Sequence, residues 1–174
     1  RDGMDAQASP IANPCNTPAE IIEVDYPLMI EEYALLADME GAGQFRGGVG
    51  LVRQYRMLQD NTLVQVRTDR VKHPPYGLNG GQPAPSPLIT LNPGRTHGKV
   101  MPPKFVITLN HGEVIRVDNP GAGGWGDALD RDPLLVLQDI TAEKVTPRRA
   151  REVYGVALDL EQWVLAYQLP WEFS

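Results

Sequence analysis

The sequence predicts a mainly β protein with a small C-terminal helical pair, an α+β fold whose body is a β-sandwich or barrel-like assembly of strands. Three observations lead there. Two pairs of β-rich runs each flank a short turn: Val49 to Leu58 with Thr62 to Thr68 across Gln59-Asp60-Asn61, and Lys104 to Leu109 with Glu113 to Val117 across Asn110-His111-Gly112. Asp, Asn and Gly tolerate the backbone conformations such turns need, so both pairs read as hairpins. Seventeen glycines and sixteen prolines punctuate the chain and leave no room for long helices over most of it. Only after residue 127 does the period change: Asp132-Pro133 and Thr146-Pro147 each set a capping side chain before a proline suited to the first helical position.

Taken in order, residues 1–20 read as an extended arm, because Asn13-Pro14 and Thr17-Pro18 disfavour helix at the residue before each proline. Residues 21–127 form the β-rich body. It opens with a short strand at Ile21, Ile22 and Val24, followed by Leu28 to Leu36, whose apolar positions fit neither the helical nor the strand period. Leu88 to Leu91 is a strand inside the long irregular excursion of residues 73–103, a length that in compact domains serves function or an interface. A single hairpin is marginal in water, so these strands must stack on one another. Residues 128–158 hold the helical pair, with Leu134, Leu137 and Ile140 as an apolar stripe and Gly155 as a left-handed cap. Residues 159–174, with Trp163, Tyr167, Trp171 and Phe173, read as an aromatic docking tail.

The chain turns on the stretch from Val114 to Asp127, which begins as a strand and runs into four glycines, Gly121, Gly123, Gly124 and Gly126, around Trp125. Glycine lets a backbone or a ligand approach where a Cβ would block it. Two readings follow: a tight exit from a sheet with Trp125 plugging the core, or a wall of a substrate or phosphate site.

Composition excludes several classes. Sixteen basic against 22 acidic residues, a formal net charge of −6, argue against a nucleic-acid surface. Arg148, Arg149 and Arg151 read as a solvated helix face. Cys15 is the single cysteine, so no disulfide forms within the chain and a cytoplasmic location is expected. No apolar run approaches the ~20 residues of a membrane span. The chain opens on Arg1-Asp2-Gly3, which reads as a fragment, a processed subunit or a trimmed chain.

A self-contained active site is not evident. His73, His97 and His111 are far apart in sequence, outside any His-Glu-x-x-His pattern, and one Cys makes no thiolate cage. Asp127, Asp130 and Asp132 lack the glycine and closing glutamate of a calcium loop, and Asp132 has a simpler role as a helix cap. Ser9, Ser86 and Ser174 have no Gly-x-Ser-x-Gly setting, and the glycine loop matches no phosphate-loop spacing. Arg67, Asp69, Arg70 and Lys72 lead into the loop His73 to Gly81, where they bind an anion, a partner's carboxylate or only water.

The order of motifs says more than any one of them. Asp2-Gly3-Met4-Asp5, Asn16-Thr17-Pro18-Ala19-Glu20, the run Gly41 to Gly50, Arg70-Val71-Lys72-His73-Pro74-Pro75-Tyr76-Gly77-Leu78, and Gly121 to Asp127 occur in succession, followed by Arg131-Asp132-Pro133 and Ala150 to Val156. This succession closely resembles the C-terminal part of the hydantoinase B/oxoprolinase family, the B-type subunits of ATP-dependent hydantoinases, which are related to subunits of acetone and acetophenone carboxylases. The likeness runs to about Leu158.

The resemblance implies a subunit or C-terminal fragment of an ATP-dependent complex that hydrolyses a cyclic amide or carboxylates a ketone. A larger A-type partner would bind ATP and phosphorylate the carbonyl or enolate, and larger B-type chains would carry a divalent metal, so that this chain binds no cofactor alone and is not catalytic alone. Within it Arg70, His73, Tyr76, Gly123 and Gly124 are the candidate substrate contacts; no catalytic residue is assigned and no metal ligand. Two rivals stand beside this expectation: a non-catalytic assembly subunit, whose arm and tail hold larger chains together, and a free-standing β-rich sugar or small-ligand binder.

Overall fold

The computed structural model describes residues 1–7, 16–159 and 164–168. Helix α1 (Ala19–Asp25) leads into strands β1 (Leu28–Leu36), β2 (Gly50–Met57), β3 (Thr62–Arg67), β4 (Leu88–Leu91), β5 (Lys99–Val100), β6 (Lys104–Leu109) and β7 (Val114–Asn119). Helices α2 (Pro133–Thr141) and α3 (Pro147–Tyr154) follow, then strands β8 (Val156–Asp159) and β9 (Val164–Gln168). An antiparallel five-stranded sheet in the order β1-β2-β7-β4-β5 faces the two-stranded sheet β3-β6, and β8 pairs with β9. The fold is thus mainly β, sandwich-like and not a closed barrel. No described helix is long and apolar enough to cross a membrane.

Neither predicted hairpin forms. β2 pairs with β7, and β3 with β6, so the two β-rich pairs pair with each other as one long antiparallel ribbon. The ribbon bends between the Arg56↔Val114 and Thr62↔Leu109 pairs, where the Met57 N–H donates to the Glu113 carbonyl and the Gly112 N–H to the Met57 carbonyl. Past that point Leu58 to Asn61 oppose Asn110 to Gly112, and the extra residue makes a bulge that carries the ribbon from one sheet to the other. Turn chemistry is present, with Asn61 and Gly112 at positive φ. It is used differently: the Asp60 carboxylate accepts from the His111 N–H and the Asn110 side chain from the Asn61 N–H, joining two bends side by side.

Alternation sorts the main sheet into two faces. Met57, Tyr55, Ile115, Val117, Ile89 and Leu91 share the inner face and pack against Val64, Val66, Phe105, Ile107 and Leu109 of the smaller sheet. The outer face is an ion ladder: Arg116 bonds Glu32 and Asp118, and Arg56 bonds Glu31, the residue left over by the β1 bulge between Ile30 and Glu32. Leu28 to Leu36, ambiguous in sequence, is a strand whose alternation slips by one residue at that bulge, so that Leu28, Ile30 and Tyr33 stand opposite Met57, Tyr55 and Arg53 on one face.

The stretch Ile21 to Val24 is helical and not a strand. Pro18 starts α1, Glu20 lies in its first turn, and the seven-residue helix buries none of its side chains; among the described residues no sheet edge pairs with this segment. Both later helices begin where the sequence places them. Asp132 accepts from the Leu134 N–H, Thr146 from the Arg149 N–H, and Gly155 closes α3 at φ 64°. The stripe on α2 needs correction: Leu134 is exposed, while Val136, Asp139 and Ile140 face inward. Val136 and Ile140 join Ala42, Ala128, Val145, Ala150, Tyr154 and Val156 in a second core. Arg149 is also not on a solvated face, since its Nε donates to the buried Glu40 carboxylate at 2.7 Å. Of the predicted aromatic tail, Tyr167 lies on β9, described by its backbone; Trp163, Trp171 and Phe173, like Cys15 and Ser9, lie outside the described residues.

Candidate functional site

Three glycine-bearing segments, Gly41 to Gly50, Gly77 to Gln82 and Gly121 to Gly126, meet backbone to backbone between the two cores. A Cβ on Gly47 would lie 1.9 Å from the Ala122 carbonyl oxygen, and one on Gly124 would lie 2.0 Å from that of Ala42. Only glycine fits. The amides exposed by this closeness are used at once: Gly41 N–H donates to Ala122, Ala122 to Gly48, Gly124 to Gln82 and Gly126 to Leu78. Trp125 bridges Phe45 on one side and Leu78 on the other, its ring 5.6 Å from that of Phe45. At 44% exposure it does not plug the core; it forms an aromatic surface over packed glycine backbone.

Beneath the junction lies a balanced cluster of three cations and three carboxylates. Arg46 donates from Nε to Asp139 at 2.9 Å and from Nη1 to Asp5 at 2.8 Å, while Arg131 grips both Asp2 oxygens and Asp139 at 2.7 Å. Lys144 completes it at 2.8 Å from Asp5. Burial opposes the charge on Asp5, but bonds from Lys144, the Val49 N–H and Arg46 outweigh it and hold the carboxyl down to about 2. Asp2 is lowered in the same way, chiefly by Arg131 against its burial. Of the residues expected to be an extended arm, 1–7 are thus anchored through Asp2 and Asp5 inside the fold, and 19–20 begin α1. Close by, Glu40 is wholly buried with one oxygen lacking a partner, and burial raises its pKa despite Arg149 and the Tyr154 hydroxyl. None of these residues was singled out from sequence as a buried group; the signal was the repeated proximity of Arg and Asp to the glycine motifs.

The structure places three of the predicted contacts, Arg70, His73 and Tyr76, on the surface, leaves Gly123 partly exposed and buries Gly124 in the glycine junction. Arg70, at φ 66°, and His73 lie on the exposed bend after β3, and the Tyr76 side chain is 69% exposed. Tyr76 and Gly123 come together through backbone, since the Tyr76 carbonyl fills the place of a Gly123 Cβ. Asp69 pairs with Lys104 at 2.9 Å in full solvent. His97 and His111 are exposed in separate turns. Among the described residues no three His, Cys, Asp or Glu side chains converge as a metal would require, so the donor set does not fit a metal centre here.

A cavity of about 550 Å³ opens on the other side of the junction, where the anchored N-terminal residues meet the start of β2 and the end of β7. Its lining includes Met4, Gln7, Asn16, Leu51, Arg53 and Asn119, with backbone from Gly48 to Gly50 and Pro120 to Ala122. Sequence reasoning missed it. One signal was available: in the alternating run Leu51, Arg53, Tyr55, Met57, a charge sits on the apolar side.

The model of the hydantoinase B/oxoprolinase family matches residues 1–128. The chain belongs to that family. It is 32% identical over 160 residues to the B-type chain of a putative D-/L-hydantoinase from a Pseudomonas species, an alignment covering 91% of this chain and 27% of that one. It is 33% identical over 147 residues to the β-chain of the caprolactamase from Pseudomonas jessenii, covering 80% and 25%. A nucleotide-free acetone carboxylase structure shares the fold at a TM-score of 0.77 and 22% identity, over 91% of this chain and 25% of that one. The chain spans about a quarter of the length of the curated relatives it matches. In this family member, the glycine junction and the anchored Asp2-Gly3-Met4-Asp5 segment account physically for most of the motifs that carried the resemblance.

Proposed function

We propose that this chain is part of an ATP-dependent enzyme complex that acts on an activated carbonyl, hydrolysing a cyclic amide or carboxylating a ketone. The observation that carries the reading is the alignment with a B-type hydantoinase chain across 91% of the sequence; the fold shared with acetone carboxylase keeps the carboxylating branch beside the hydrolytic one. Both branches need a carbonyl polarised by fixed donors with water excluded. ATP and the divalent metal belong, in this proposal, to larger A-type and B-type partner chains, and this chain supplies walls and contacts.

Arg70, His73 and Tyr76 are the proposed substrate contacts, carried on an exposed loop that a partner would cover. Gly123 and Gly124, whose Cβ places the Tyr76 and Ala42 carbonyls already fill, are proposed to act on the substrate only by shaping this wall. The Gly124 amide is already committed to the Gln82 carbonyl, so donors to a developing oxyanion come from side chains. In the assembled enzyme, Arg70→Ala lowers kcat/KM by roughly tenfold or more while subunit stoichiometry on gel filtration is unchanged. Unaltered kinetics in a fully assembled variant would remove Arg70 from the site.

A further inference from the structure

The inner face of the main sheet is apolar from Met57 to Tyr55 and then carries an arginine. Arg53 stands opposite Tyr33 in β1 and Val117 in β7, at the point where the cover given by the smaller sheet ends. Its guanidinium lies 4.5 Å from the centre of the Tyr33 ring and donates to the Tyr33 hydroxyl and the Asn16 side-chain oxygen. Both partners are neutral. Arg46, Arg56, Arg116, Arg131 and Arg149 each hold a carboxylate, whereas no described carboxylate lies within salt-bridge distance of Arg53. The eight residues between Gln7 and Asn16 contain no Asp or Glu.

This half-buried cation, which has no carboxylate partner among the described residues, lines the 550 Å³ cavity. Leu51 and Arg53 line it and Val52 does not, which places the cavity on the face to which the Arg53 side chain projects. Asn119, opposite Leu51, projects to the same side, and no described residue bonds its amide. The volume falls in the small-molecule range of roughly 300–1,000 Å³, far more than one side chain from a partner would fill. We propose that this cavity binds a small molecule carrying one carboxylate, with Arg53 as its counter-charge and the Asn119 amide as a neutral second contact. The site is separate from Arg70, His73 and Tyr76 and holds whichever reaction the assembled enzyme performs.

The test is an amide NMR titration of the 174-residue chain with N-acetylglycine, using N-acetylglycinamide as the uncharged isostere. The acid produces saturable shifts at Gly48, Gly50, Gly121 and Ala122 and binds roughly tenfold or more tightly than the amide, since a charge-assisted bond is lost in the latter. Arg53→Gln removes the preference for the acid, and Arg53→Lys retains part of it. Asn119→Leu, which leaves the charge in place, weakens both probes equally. Saturable shifts confined to other residues, no saturable shift in the unmodified chain, or an equal preference in Arg53→Gln would each overturn the proposal; the second outcome is also what a partner's carboxylate as natural occupant would give.

Discussion

Arg46 and Arg53 lie seven residues apart in sequence and belong to two groups of charge that behave oppositely. Arg46 and Arg131 are almost completely buried, and every charge they carry is met by Asp2, Asp5 or Asp139. Arg53 is half-buried and meets a phenol and an amide. A buried ion met by opposite charge holds segments in place, and here it ties the first five residues, the glycine run and α2 into one body. An ion with only neutral partners still carries an electrostatic demand that something else must meet. The difference separates architecture from binding without reference to any activity.

Removing a paired charge costs most at Arg131. Its side chain is inaccessible and it faces two carboxylates at once, so Arg131→Met leaves buried negative charge uncompensated and costs about 3–5 kcal/mol in urea unfolding. A loss under about 1 kcal/mol would mean that the cluster is hydrated and not structural.

Acid acts on the paired cluster through its carboxylates. The folded-state pKa of Asp5 is about 2, against an ordinary 3.8, and that of Asp2 is also lowered. A depressed carboxylate contributes stability above its unfolded pKa and loses it as pH falls through the folded value, so the cluster weakens between about pH 4 and 2 by on the order of 2 kcal/mol for Asp5. Asp5→Asn removes that part of the slope in denaturation midpoints measured across the range. Glu40 runs the other way: burial raises its pKa, so its stabilisation is full below the ordinary glutamate value and declines as pH rises through the folded one. Glu40→Gln makes the profile steeper in its rise toward neutral pH.

What was legible in the sequence follows from the range of the forces involved. Asp132, Thr146 and Gly155 were readable because a cap acts within three or four residues. The strand segments were readable from composition and alternation, but their partners were not. Asp60-Asn61 and Asn110-His111-Gly112 carry turn chemistry, yet whether such a turn closes a hairpin or bends a ribbon depends on which strand arrives from 50 residues away. The glycine run announced close approach without naming what approaches, and one of its two readings set Trp125 in the core because a large aromatic outweighs its surroundings in a linear reading. Asp139 and Glu40 were hidden because a buried charge looks like any surface charge until its partner is known. Arg53 was the nearest miss, visible as a charge on the wrong side of an alternating strand.

Arg53 itself contributes little to the stability of the fold. Arg53→Gln gives up stacking on Tyr33 and two bonds to neutral groups, all near solvent, so the unliganded chain loses less than about 1 kcal/mol in the same urea measurement that penalises Arg131→Met severalfold more. Stability and ligand preference therefore separate at Arg53 and coincide at Arg131, where binding falls only because the wall built by Met4 and Gln7 comes loose. A loss at Arg53 as large as that at Arg131 would place both arginines in one structural network and erase the distinction drawn between them.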